Sequence, residues 1–86
     1  MSFEWTKHSP TAWEYVSDDL CACVWTEHDT VWWDVSGPKG RGTIASGCAP
    51  GEVFAAFLNI DQRMTIAKRL AETYIAGFRR GRDGRP

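Results

Sequence analysis

Long apolar runs are missing from this 86-residue chain. The longest stretch free of charge, Gly42 to Gly51, consists largely of glycine and small residues, whereas a membrane-spanning helix needs about 20 apolar residues in succession. The start, MSFEWTKHS, carries charges in its first few positions and has no hydrophobic signal-peptide core. A soluble, cytoplasmic protein with no membrane contact is expected.

Cysteine is scarce and its count is odd, at three. Cys21 and Cys23, if on one strand, would lie on the same face about 6–7 Å apart, too far and too parallel for a disulfide. A reduced protein fits better than a secreted disulfide scaffold. Cys21, Cys23 and Cys48 could be joined by His28 or His8 as four zinc ligands, but C-x-C is not the C-x₂₋₄-C spacing of common structural zinc sites. Half-buried thiols are the simpler expectation, and neither a metal nor any other cofactor is expected.

Catalytic motifs are also lacking. No serine sits in a G-x-S-x-G elbow, and a domain this small has little room for a sheltered pocket. The glycine-rich GPKGRG, Gly37 to Gly42, lacks the spacing and terminal Lys-Ser/Thr of a phosphate-binding P-loop, so it reads as a turn. No enzyme is expected.

What the chain does have is a tryptophan-rich stretch, Leu20 to Ser36, holding three of its five tryptophans. Apolar and other residues alternate on both sides of His28-Asp29, the pattern of a β-hairpin. Either a two-residue turn there or a four-residue loop, Glu27 to Thr30, pairs Trp25 with Trp32, Val24 with Trp33 and Cys23 with Asp34. One face then carries Leu20, Ala22, Val24, Thr26, Val31, Trp33 and Val35, an apolar core face. The other carries Cys21, Cys23, Trp25, Glu27, Trp32 and Asp34. Because side chains alternate with period two, a one-residue slip would exchange the faces.

The preceding AWEYVS, Ala12 to Ser17, tests that register. With Asp18-Asp19 as a turn, Tyr15 faces Ala22 and Trp13 faces Val24, so both aromatics join the core face. Ala12, Glu14 and Val16 join the other. Residues 1–11 form an arm with a short edge strand over Phe3 and Trp5, ended by Ser9-Pro10. Thr43 to Ser46 could add a fourth strand with Ile44 inward.

Downstream, Val53, Phe57, Ile60, Met64, Ala67, Ala71, Tyr74 and Phe78 recur at steps of three and four, widened by Ile66 and Leu70, which marks an amphipathic helix. Unbroken, it would be about 39 Å long and overhang strands of about 20 Å. Asn59 can cap a new helix with Gln62 as its reciprocal partner. A short helix near 50–58 and a longer one near 60–80 are expected, with Gly81 as the stop. An unbroken helix pairing with a second copy, a homodimer, is the alternative.

The expected fold is α+β: a three- or four-stranded antiparallel meander with C-terminal helices packed on one face. A single domain covers 1–80, and 81–86 form a flexible basic tail. The core should include Trp13, Tyr15, Val24, Trp33, Val35, Phe57, Met64, Leu70 and Tyr74.

Charge is segregated. Residues 1–36 hold seven acids and one base (−6), and residues 37–86 hold nine bases and four acids (+5). Such a dipole steers partners without naming them. The aromatic pair Trp25 and Trp32, rimmed by Glu14, Glu27 and Asp34, would suit a protein partner and repel phosphate. The simpler account is that the pair braces the sheet or is covered. Arg69, Arg79, Arg80 and Arg82 offer an alternative surface for nucleic acid, against the simpler account of a solvated helix face with arginines complementing the helix dipole.

A sheet followed by helices, with glycine before the last strand, is similar to the double-stranded-RNA-binding domain. That family's first helix has no counterpart here, and SGCAPGE, Ser46 to Glu52, replaces its lysine-rich helix start. In size, tryptophan-rich meander, charge segregation and absence of catalytic motifs, the chain resembles small accessory proteins of phages and prophages, including anti-CRISPR proteins. The resemblance implies a non-enzymatic inhibitor or adaptor that blocks a host protein or nucleoprotein complex by binding it.

Overall fold

The computed structural model describes residues 3–27, 30–38, 42–49 and 58–83. Five strands come first: β1 (Thr6–Ser9), β2 (Ala12–Val16), β3 (Cys21–Glu27), β4 (Thr30–Ser36) and β5 (Thr43–Ala49). Among the described residues one helix, α1 (Ile60–Asp83), follows them. The strands form one antiparallel sheet in chain order, β1-β2-β3-β4-β5. The fold is α+β, with five strands against the three or four that the alternation indicated.

The register is the one the two turns dictate. Trp25 pairs with Trp32, Val24 with Trp33 and Cys23 with Asp34, while Tyr15 pairs with Ala22 and Trp13 with Val24. At the β2–β3 turn the Ser17 N–H donates to the Leu20 carbonyl at 2.9 Å. The Ser17 hydroxyl donates to Asp19 at 2.6 Å, so the Asp18-Asp19 turn is closed by side chain and backbone together. Between β4 and β5, the Gly37 N–H donates to the Gly42 carbonyl at 3.1 Å, and Gly42 sits at φ +72°, a left-handed conformation glycine reaches without a Cβ clash.

Helix α1 begins where its own residues say it should. Asn59 Oδ1 accepts from the Gln62 N–H at 2.8 Å, and Gln62 Oε1 accepts from the Asn59 N–H at 3.0 Å. This reciprocal capping satisfies two donors that a helix start would otherwise leave unpaired. The helix does not stop at Gly81 but continues to Asp83, which shortens the expected tail. The expected short helix near 50–58 falls almost wholly outside the described residues.

The core lies between α1 and one face of the sheet. Leu20, Ala22 and Val35 pack with Ala71 and Ile75, and Val24 and Val31 pack with Met64 and Ala67. Alanine at 67 and 71 lets the helix backbone approach the strands closely. Trp13, Tyr15 and Trp33 border these clusters without being fully buried. Leu70 and Tyr74, expected inside, are 41% and 38% exposed. The phase of the last turns follows Ala71 to Ile75, not Ala71 to Tyr74, so Leu70 and Tyr74 rotate onto a flank of the helix. Phe57 lies outside the described residues.

Two strand expectations also change. β1 reads TKHS, mostly exposed, and no alternation marks it. It starts beyond Phe3 and Trp5, whose rings instead pack toward Tyr15. β5 runs to Ala49, and its inward positions are Ala45 and Gly47, opposite Val35 and Trp33. Ile44 falls where the β4–β5 register shifts and is 37% exposed.

Candidate functional site: the open face of the sheet

With α1 on one face, pleating sends every second side chain to the other. Rows of paired residues cross that outer face. One row runs Ala12, Trp25, Trp32, Cys48, and the next runs Glu14, Cys23, Asp34, Ser46. A third sets Val16 beside Cys21 and Ser36, and Glu27 pairs with Thr30 at the hairpin end. Trp25, Trp32, Glu14, Glu27 and Asp34 therefore share one continuous face. Ser46 and Cys48 extend it, and the small residues of β5 hide that in the sequence because their alternation carries no hydrophobic contrast.

Exposure differs across the rows. Trp32 is 38% exposed and Val16 62%, while Trp25 is half-buried and Glu27 exposed. Trp25 and Trp32 are directly opposed in the β3–β4 register, and each presents indole surface outward. Glu14, Glu27 and Asp34 make no ion pair or hydrogen bond within the described residues. Burial alone holds the Asp34 carboxyl above its usual range.

Cys23 lies between Glu14 and Asp34 in its row. Burial first, then the carboxylates of Asp34 and Glu14, push its thiol up to about 11. At neutral pH it is protonated and a poor nucleophile. The three cysteines are free, with Cys21 buried and Cys48 exposed.

The basic residues separate into different roles. Arg79 donates to both carboxylate oxygens of Asp19, at 2.9 and 2.7 Å, to Ser17 Oγ at 2.9 Å and to Tyr15 Oη at 3.2 Å. It thereby pins the second half of α1 to the β2–β3 turn. The hydrogen bonds from Arg79, ahead of its charge, hold the Asp19 carboxyl far below the usual carboxylate range. Arg69 and Arg80 are exposed. Eleven positions apart, they project from the same side of the helix with about 16 Å between them along the axis. The side chain of Arg82 lies outside the described residues.

A second aromatic setting was not foreseen. The Lys68 ammonium stands 3.5 Å from the centre of the Trp13 ring, and Lys7 approaches the same ring at 5.9 Å. They border a groove of about 260 Å³ near the start of α1. Burial lowers the Lys68 pKa, with Glu72 opposing. The inward parity of Trp13 was the available signal; Lys68 reaches it from α1, and Lys7 from β1, which no alternation marks.

No family model, curated protein or solved structure matches this chain. Its function has to be argued from these surfaces.

Proposed function

We propose that the protein is a non-enzymatic binding module that takes a partner protein on the open face of its sheet. The supporting observation is the juxtaposition of partly exposed Trp25 and Trp32 with the carboxylates of Glu14, Asp34 and Glu27, which have no ion pair or hydrogen bond among the described residues. Aromatic residues concentrate binding energy when a partner desolvates them, and a carboxylate rim steers the face toward basic surfaces. The thiol of Cys23, held protonated, adds no nucleophile to the face. The resemblance to phage accessory proteins directs the search for a partner to host protein or nucleoprotein complexes, with the chain acting as an inhibitor or adaptor.

The deciding experiment is affinity capture from host lysate with the wild type and a Trp25→Ala/Trp32→Ala double variant of unchanged circular dichroism. Loss of the specific partner with the double variant is the expected result. Equal recovery by both proteins removes the aromatic face from the reading.

A second reading, nucleic-acid binding, rests on Arg69 and Arg80 sharing one exposed side of α1. It requires binding to RNA or DNA that weakens steeply with salt and is lost in Arg69→Ala/Arg80→Ala. Absence of binding to either nucleic acid at low salt removes it.

A further inference from the structure

The two edges of the sheet are built differently. β1 is four residues long, carries Lys7, shifts register between Lys7 and Ser9 and is followed by Pro10. Short length, lysine, irregularity and proline are the devices by which exposed edges avoid pairing with other chains. β5 has seven residues, TIASGCA, with no charge and no proline. Its register shift is confined to its first end, and among the described residues it has no strand beyond it.

The helix flank above that edge carries Arg63 in its first turn and is apolar further along, at Leu70 and Tyr74. The opposite flank is occupied by contacts to the β1–β2 half: Lys68 on Trp13, Glu72 accepting from Trp5 Nε1 at 2.7 Å, and Arg79 on Asp19. On the β5 side stand Leu70 and Tyr74, both exposed, with the Tyr74 ring 6.5 Å from that of Trp33.

We propose that β5 pairs antiparallel with the β5 of a second copy of this chain, about a two-fold axis that extends the sheet from five strands to ten. Two-fold antiparallel pairing sets the central residue against its own copy and the residues on either side of it against one another. An uncharged strand tolerates that, and β1, with Lys7, does not. The spacing of the helices fits as well. α1 packs chiefly over β4, one and a half strand spacings from such an axis, so the two helices would run about 14 Å apart at about 4.8 Å per strand. That exceeds the usual 8–10 Å of directly packed helices, and Leu70 and Tyr74 from each copy fill the difference.

Sedimentation of the full chain across the micromolar range tests this, with twice the chain mass expected. Ser46, at the centre of β5, would meet its own copy, so Ser46→Lys is expected to weaken the dimer by about tenfold or more, a change of about 1.4 kcal/mol. Leu70→Glu/Tyr74→Glu should do the same from the helix, and because both side chains are exposed in the monomer it decides the matter if Ser46→Lys fails to fold. Lys7→Ala and Trp25→Ala/Trp32→Ala should leave the dimer intact. A wild type that stays monomeric at the highest concentration overturns the proposal. So does a dimer that survives both disruptive variants, or one lost through the tryptophan variant alone, which would place the contact on the open face.

Discussion

The two faces of the sheet are made from the same strands and obey opposite rules. On the face under α1, large side chains are apolar and the polar groups at its margin have partners: Trp5 with Glu72, Arg79 with Asp19, Lys68 with the Trp13 ring. On the other face, three carboxylates stand beside two tryptophans without ion pairs among the described residues. Folding needs the first arrangement, because an unpartnered polar group in a packed layer is costly. It does not need the second. The residues of the open face are thus available to be conditioned by something other than stability.

That contrast can be broken most forcefully at Ile75, fully buried against Leu20 and Val35. Ile75→Ala is expected to cost about 2–5 kcal/mol, read from the midpoint of urea unfolding. A loss below about 1 kcal/mol would mean that the helix contributes little to the core. The margin of the covered face is probed next, by pH. The Asp19 carboxyl is held below its unfolded value, so its stabilisation is complete above the ordinary carboxylate pKa near 4 and declines as pH falls toward the folded value. Thermal melts from pH 6 to pH 2 should therefore show Asp19→Asn less stable than wild type near neutrality, with the two curves converging in acid. Parallel curves would show that Arg79 draws nothing from that charge. The smallest effect belongs to the open face: Trp32→Thr should cost about 1 kcal/mol or less, measured in the same urea assay. A cost matching that of Ile75→Ala would make Trp32 part of the core and erase the distinction between the faces.

Much of this architecture is legible in the chain because local signals agree with one another. The hairpin register follows from two turns that independently place Trp33, Trp13 and Tyr15 on one side. The start of α1 follows from Asn59 and Gln62, three residues apart. β1 is invisible because TKHS has no alternation: its pairing depends on β2 already being there. The phase of the last helical turns is misleading because Tyr74 and Ile75 both fit the spacing from Ala71. The choice between them is made by Leu20, Ala22 and Val35, distant in sequence, which accept the aliphatic side chain. For the candidate site, parity places Glu14, Trp25, Glu27, Trp32 and Asp34 together from sequence alone. Their degree of exposure is a property of what covers the face, and periodicity carries no information on that. Likewise, the four hydrogen bonds that tie Arg79 to the β2–β3 turn could not be told from the bonding of an exposed arginine by composition.

The order of the elements has a consequence in time. All five strands, ending at Ala49, precede the helix that covers them, which ends at Asp83. At about 5–20 residues per second, a ribosome needs a few seconds to make the intervening stretch. During that interval Leu20, Val24, Val31 and Val35 have no helix to pack against, and the charge-free β5 is already made. The apolar face of the sheet is thus at its stickiest between the making of β5 and of α1, and α1 closes that window as soon as it can dock.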